Sequence, residues 1–165
     1  MNTIYNLKEF KFSTRSLKIL GTIDIDLQRI ILKALTLQKN DLSVSEGLRT
    51  IETQIEYVKR KASKTYNSRH LHGYACDLYV LDEDNNKAML SGKNIIPFYS
   101  ELWENMKQAS NEIFGKNVLR WGGDFDENEK VDGTFLDLCH YELHKNFYPD
   151  KEDVLKDLRK RGLIK

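Results

Sequence analysis

The sequence predicts an α+β fold, a small antiparallel sheet packed against helices. Apolar residues recur at helical spacing in stretches near 27–35 and 99–113. Four short segments, near 41–46, 74–81, 118–121 and 139–143, have the composition of strands. Helices therefore gather before and between a few strands. No repeat, low-complexity tract or Pro/Gly/Ser linker divides the chain, so a single domain over 1–165 is expected.

Each element has a local reason. Ser13 is placed to cap a first short helix. Leu27, Ile30, Ile31, Ala34 and Leu35 follow a helical period and should face the core. Asp41 to Glu46 alternates loosely through Leu42 and Val44, and Gly47 breaks that strand. Thr50 to Lys61 is helical in composition, with Ile51, Ile55 and Val58 on one side. Tyr74 to Leu81 is the clearest strand; Gly73 permits the turn into it, and Asp82 to Asn86 forms a polar turn after it. Tyr99, Leu102, Trp103, Met106, Ala109 and Ile113 make an amphipathic helix that Gly115 stops. Val118 to Trp121 and Cys139 to Leu143 complete the sheet. A basic helix over about 150–162 follows Pro149 and Asp150.

Composition narrows the function. Of 165 residues, 40% are hydrophobic and 31% charged, an ordinary globular balance, and the formal net charge is +1. A near-neutral chain lacks the concentrated basic face that phosphate neutralisation requires, which argues against nucleic acid. The first residues show no basic flank followed by an apolar run, and no stretch is long enough to span a bilayer. Synthesis in a cytoplasm is expected, with any extracytoplasmic role awaiting a separate release event. Two cysteines, Cys76 and Cys139, are too few for a disulfide framework and read as buried packing.

Three of the four histidines lie in two short segments with carboxylates nearby: Ser68-Arg69-His70-Leu71-His72-Gly73-Tyr74-Ala75-Cys76-Asp77 and Asp137-Leu138-Cys139-His140-Tyr141-Glu142-Leu143. A catalytic zinc takes about three His, Asp or Glu ligands and keeps a position open. Strand alternation puts Asp77 with Ala75 and Tyr79, away from Cys76, Leu78 and Val80, and so on the polar side. Composition and spacing do not decide between His70 and His72.

The first segment fits Ser-x-His-x-x-Gly-x-Ala-x-Asp at every fixed position. It resembles the signature of the zinc peptidases that include D-alanyl-D-alanine carboxypeptidases, vancomycin-resistance dipeptidases and phage L-alanyl-D-glutamate endopeptidases. Glu46-Gly47-Leu48-Arg49-Thr50, Trp121-Gly122-Gly123-Asp124-Phe125 and Asp137-x-x-His140-x-Glu142-Leu143 resemble further elements of that family, in the same order. The likeness runs from Phe12 to Leu143 and implies the hedgehog-like fold of D-Ala-D-Ala peptidases. It also implies zinc on His70, Asp77 and His140, with His72 at a variable position. Asp137 matches the catalytic carboxylate, and Arg49 an arginine that stabilises the negative oxygen of the tetrahedral intermediate. Asp137 and His140 are three apart, so the chain must turn or bulge at Leu138 for both to serve one site.

The remaining assignments have two readings each. Trp121 lines the substrate cleft or is plain core. Ser68 contacts substrate or holds its loop to the backbone. Glu142 orients a metal ligand from behind or pairs with a surface lysine. Asp124, Asp126, Asn128 and Asp132 form a regulatory calcium loop or a solvated acidic one, and they lack a late bidentate Glu. The tail 151–165, with six basic and three acidic residues, attracts an anionic surface or simply suits a helix end.

The expected function is a monomeric phage endolysin that hydrolyses the L-alanyl-D-glutamate bond of peptidoglycan stem peptides. It would be made in the host cytoplasm and act on the wall after release. The competing readings are a D-alanyl-D-alanine carboxypeptidase or dipeptidase of the same family, and a non-catalytic wall-binding module.

Overall fold

The computed structural model describes residues 10–82, 87–90, 94–133 and 135–165. In chain order the elements are α1 (Thr14–Leu20), α2 (Ile25–Leu35), β1 (Leu42–Glu46), α3 (Ile51–Lys59), a 3-10 turn (Arg69–His72), β2 (Ala75–Val80), α4 (Ile96–Phe114), β3 (Leu119–Trp121), β4 (His140–Leu143) and α5 (Glu152–Lys160). The strands form one sheet in the order β1-β2-β4-β3, each neighbouring pair antiparallel. This is the α+β architecture that the periodicities predict.

Local chemistry sets the boundaries. Ser13 caps α1 by accepting from the Ser16 amide at 3.1 Å, and Asp24 and Thr50 cap α2 and α3 in the same way. Pro97 stands in the first turn of α4, where a missing N–H costs nothing. Gly115 ends that helix in the left-handed conformation. The expected strand from Cys139 begins one residue later, because Leu138 and Cys139 form a turn. Within the expected polar turn 82–86, residues 83–86 lie outside the described residues, while Leu81 bridges Ala88 across it.

The sheet has two unlike faces. Leu42 and Val44 of β1, Cys76, Leu78 and Val80 of β2, Trp121 of β3 and Tyr141 and Leu143 of β4 join α2 and α4 in one apolar cluster. The five apolar positions that the period assigned to α2 are all buried there. The other face carries Asp77, Arg120, His140 and Glu142, because directly opposed residues share a face: Asp77 pairs with His140, and Arg120 with Glu142.

One expectation, for Cys139, needs correction, and α3 is anchored by a residue that its composition does not single out. Ile51, Ile55 and Val58 of α3 are only half-buried; the buried residue is Gln54, 1% exposed. Its amide donates to Ser63 Oγ and the Thr65 carbonyl, so hydrogen bonds rather than an apolar stripe hold that helix to the following loop. Cys139 is half-buried, because it sits in the turn before β4 instead of on the strand; Cys76 is fully buried. No helix among the described residues is long and apolar enough to cross a membrane.

Candidate metal centre and its cleft

β2 and β4 deliver Asp77 and His140 as opposed neighbours, and the 3-10 turn brings His70 over them. Ser68 starts that turn by accepting from the His70 amide at 3.3 Å, and Gly73 leaves it with φ +70°. His70 Nε2, His140 Nδ1 and Asp77 Oδ1 are then mutually 3.2 Å apart. They are the one group of three or more His, Cys, Asp or Glu side chains placed to share a metal among the described residues.

The other ring nitrogens decide what these three atoms are. His70 Nδ1–H donates to the Gly47 carbonyl at 2.8 Å, and His140 Nε2–H donates to Glu142 at 2.8 Å. A carbonyl and a carboxylate only accept, so each proton sits on the far side of its ring. Two lone pairs and a carboxylate oxygen are left facing one another with no donor between them. Such a trio requires a cation: a metal ion or, in its absence, a proton on His140 Nδ1 shared with Asp77. Burial disfavours the His140 imidazolium, but its hydrogen bonds and charge attraction to Asp77 and Glu142 outweigh that and raise its pKa to about 9. Burial also opposes charge on Asp77, yet the two histidines hold its carboxyl well below the usual range.

The donor set fits a metal. A tetrahedral zinc with ligands at about 2.0–2.1 Å has ligand–ligand edges of roughly 3.3–3.4 Å, close to the observed 3.2 Å triangle. Three donors leave a fourth corner open. The hydrogen bonds behind both histidines are the arrangement that orients metal-bound imidazoles.

The triad lies in a cleft of about 460 Å³ that Asp137, Arg49, Ser68 and Glu142 also line. Asp137 and His140 reach it together because the His140 amide closes a tight turn onto the Asp137 carbonyl at 3.0 Å. That turn is braced by the Trp-Gly-Gly element. Gly122 exchanges backbone hydrogen bonds with Asp137 and His140, and a Cβ on Gly122 would lie 2.2 Å from the Asp137 carbonyl oxygen, so only glycine fits. Trp121 Nε1 donates to the Leu138 carbonyl at 2.8 Å. The Cys139 thiol, pushed up chiefly by burial and kept protonated, donates to Asp137 at 3.1 Å.

Arg49 is held firmly. Both oxygens of Glu46 and the Gln54 carbonyl oxygen accept from it at 2.6–2.7 Å, which leaves one N–H on each Nη atom. A bulge between Val44 and Glu46 makes this possible, setting Glu46 opposite Asp77 and off the core face that alternation assigns to it. Sequence reasoning missed Glu46. The available signal was a charged residue at an expected core position.

Two other expectations fall differently. Trp121 is 2% exposed, stacks on Tyr141 and Trp103, and does not line the cleft of the triad, which corrects its assignment to substrate. Its size and apolar neighbours make it core, and its indole N–H acts on the turn. The acidic stretch does not gather its carboxylates into a cluster with the spacing of a metal site. Asp124 instead accepts from the amides of Asn128 and Glu129, and Asp126 and Asp132 accept from the Asn128 amide group. Glu142 faces His140 and Arg120, not a surface lysine, and those partners keep its carboxyl low against the opposing effect of burial.

A family model described as phage L-alanyl-D-glutamate peptidase matches residues 8–144. An L-alanyl-D-glutamate peptidase of Escherichia phage T5 is 26% identical over 144 residues, covering 81% of this chain and 98% of the relative. The crystal structure of the Serratia marcescens L-Ala D-Glu endopeptidase ChiX superposes with a TM-score of 0.70 at 30% identity, over 89% of this chain and 99% of that one. The vancomycin-resistance D,D-dipeptidase VanXYg gives 14% identity and a TM-score of 0.43, over 85% and 55% of the two chains.

Proposed function

The chain belongs to the phage L-alanyl-D-glutamate peptidase family, and on that premise we propose that it is a zinc-dependent endolysin cutting the L-alanyl-D-glutamate bond of peptidoglycan stem peptides. The observation that carries the metal is the convergence of two imidazole nitrogens and a carboxylate oxygen at 3.2 Å, each ring being held from behind by an acceptor. His70, Asp77 and His140 would hold the ion. When bound, zinc supplies Lewis acidity, polarising a carbonyl and lowering the pKa of water to about 7.

The chain's own groups do the rest. Asp137, held by its turn and by the Cys139 thiol, takes a proton from the attacking water and later returns it to the leaving amine. The two unengaged N–H groups of Arg49 are available to the carbonyl oxygen as it gains charge. Glu142 and the Gly47 carbonyl keep the ligand rings oriented, and Ser68 holds the turn that carries His70. The protein acts on the wall.

Digestion of purified peptidoglycan with product mass analysis tests this reading. New amino-terminal D-glutamate is expected, together with one zinc per chain in the purified enzyme. Loss of terminal D-alanine instead would transfer the protein to carboxypeptidase chemistry.

A further inference from the structure

Five cationic residues line the cleft of the triad: Arg49, Lys64, Arg69, Arg120 and Lys145. Four are committed within the protein. Arg49 is gripped by Glu46 and Gln54. Arg69 is buried against Asp150 and the carbonyls of Leu143 and Tyr148, and Lys145 lies 3.0 Å from the same Asp150. Arg120 donates to the Phe125 carbonyl and faces Glu142 at 3.4 Å.

Lys64 differs. It makes no ion pair among the described residues; its ammonium lies 4.1 Å from the centre of the Phe135 ring. Phe135 stacks on Phe125 at 5.8 Å, and Phe125 leans on His140 at 5.9 Å. An aromatic wall thus runs from the metal centre to a cation that no carboxylate among the described residues matches. A cation held over a ring keeps its N–H donors for a partner.

We propose that Lys64 is a specificity-determining residue that binds the free α-carboxylate of the D-glutamate in the stem peptide. The inference rests on the reaction assigned above. In that peptide D-glutamate continues through its γ-carboxyl, so its α-carboxylate stays ionised on the carbon that bears the leaving nitrogen. A peptidase cutting there must admit an anion to a cleft already lined by Glu46, Asp77, Asp137 and Glu142. The other four cations of the cleft are already engaged by carboxylates and carbonyls, so among the described residues Lys64 is the one left to meet that anion.

The test uses the zinc-loaded enzyme and two synthetic stem peptides that differ only in D-glutamate or its α-amide, D-isoglutamine. Wild type should favour the acid by on the order of tenfold to a hundredfold in kcat/KM, the range of a charge-assisted hydrogen bond. K64M should bring the two substrates level, mainly by raising KM for the acid, and K64R should restore the preference. A wild type that does not distinguish them, or a preference that survives in K64M, overturns the assignment of Lys64. If wild type leaves the L-alanyl-D-glutamate bond of both peptides intact and releases D-alanine from a longer one, the reaction itself has been misread, and the role of Lys64 falls with it.

Discussion

His70 and His72 stand two residues apart in one 3-10 turn, both almost fully buried and both near an aspartate, yet the fold uses them in opposite ways. A 3-10 turn rotates about 120° per residue, so side chains two apart point in different directions. His70 meets β2 and β4, whereas His72 meets the start of α5. Every polar atom of the His72 ring is satisfied by protein: Nε2–H donates to Asn67 at 2.8 Å, and Nδ1 accepts from the Lys151 amide at 2.9 Å. His70 satisfies only Nδ1 and turns its other lone pair on two further acceptors. The lesson is that burial and acidic neighbours do not make a metal ligand. An unsatisfied lone pair does.

The largest expected difference between the two histidines is in metal and catalysis. H70A should lose zinc and lower peptidoglycan hydrolysis by on the order of a thousandfold, since the several kcal/mol of charge stabilisation from the ion would go with it. H72A should retain its zinc by elemental analysis. Equal zinc loss in both variants would erase the distinction drawn here.

D137A separates the metal from the chemistry. It should keep zinc while activity falls by about a hundredfold to ten-thousandfold, the usual worth of a general acid–base group. Unchanged hydrolysis by this variant would remove Asp137 from the mechanism.

On the His72 side, the effect should be on stability. Asp150 faces Arg69 at 2.8 Å, and the Arg69 side chain is only 5% exposed. D150A would strand a buried guanidinium, with an expected loss of about 3–5 kcal/mol in urea unfolding and zinc still bound. A loss within the error of the melt would mean that solvent reaches Arg69.

E142Q probes the bracing of His140 and should weaken zinc affinity about tenfold to a hundredfold, measured by competition with a chromophoric chelator. The smallest effect is that of pH on zinc-free protein. His140, raised to about 9 in the fold, favours the folded state fully below about pH 6.5, and this contribution is lost as pH rises through about 9. His72 has the opposite sign. Burial lowers its pKa, so its contribution is lost as pH falls below about 6.5. Chelator-treated protein should therefore unfold at lower urea at pH 10 than at pH 7, and H72Q should leave that alkaline loss in place. A midpoint that climbs between pH 7 and 10 would contradict the sign for His140.

Much of the molecule was legible in the sequence because it is written in neighbours. The α2 period, the Ser13 cap and the Gly115 stop depend on residues within a turn or two, and the structure places them as read. Strand alternation likewise turned Asp77 away from Cys76, Leu78 and Val80, and the three-residue gap between Asp137 and His140 required the turn that is found. The motif resemblance selected His70 over His72, which periodicity alone could not do.

Only the tertiary structure decided the rest. The bulge that swings Glu46 onto Arg49, the far-side partners that leave three acceptors facing one another, the place of Trp121 in the core and Gln54 as the buried anchor of α3 all arise between segments far apart in the chain. Periodicity reports which way a side chain leaves its own backbone. Cross-strand register and the last hydrogen-bond partner decide what it meets, and those are set when the whole chain packs.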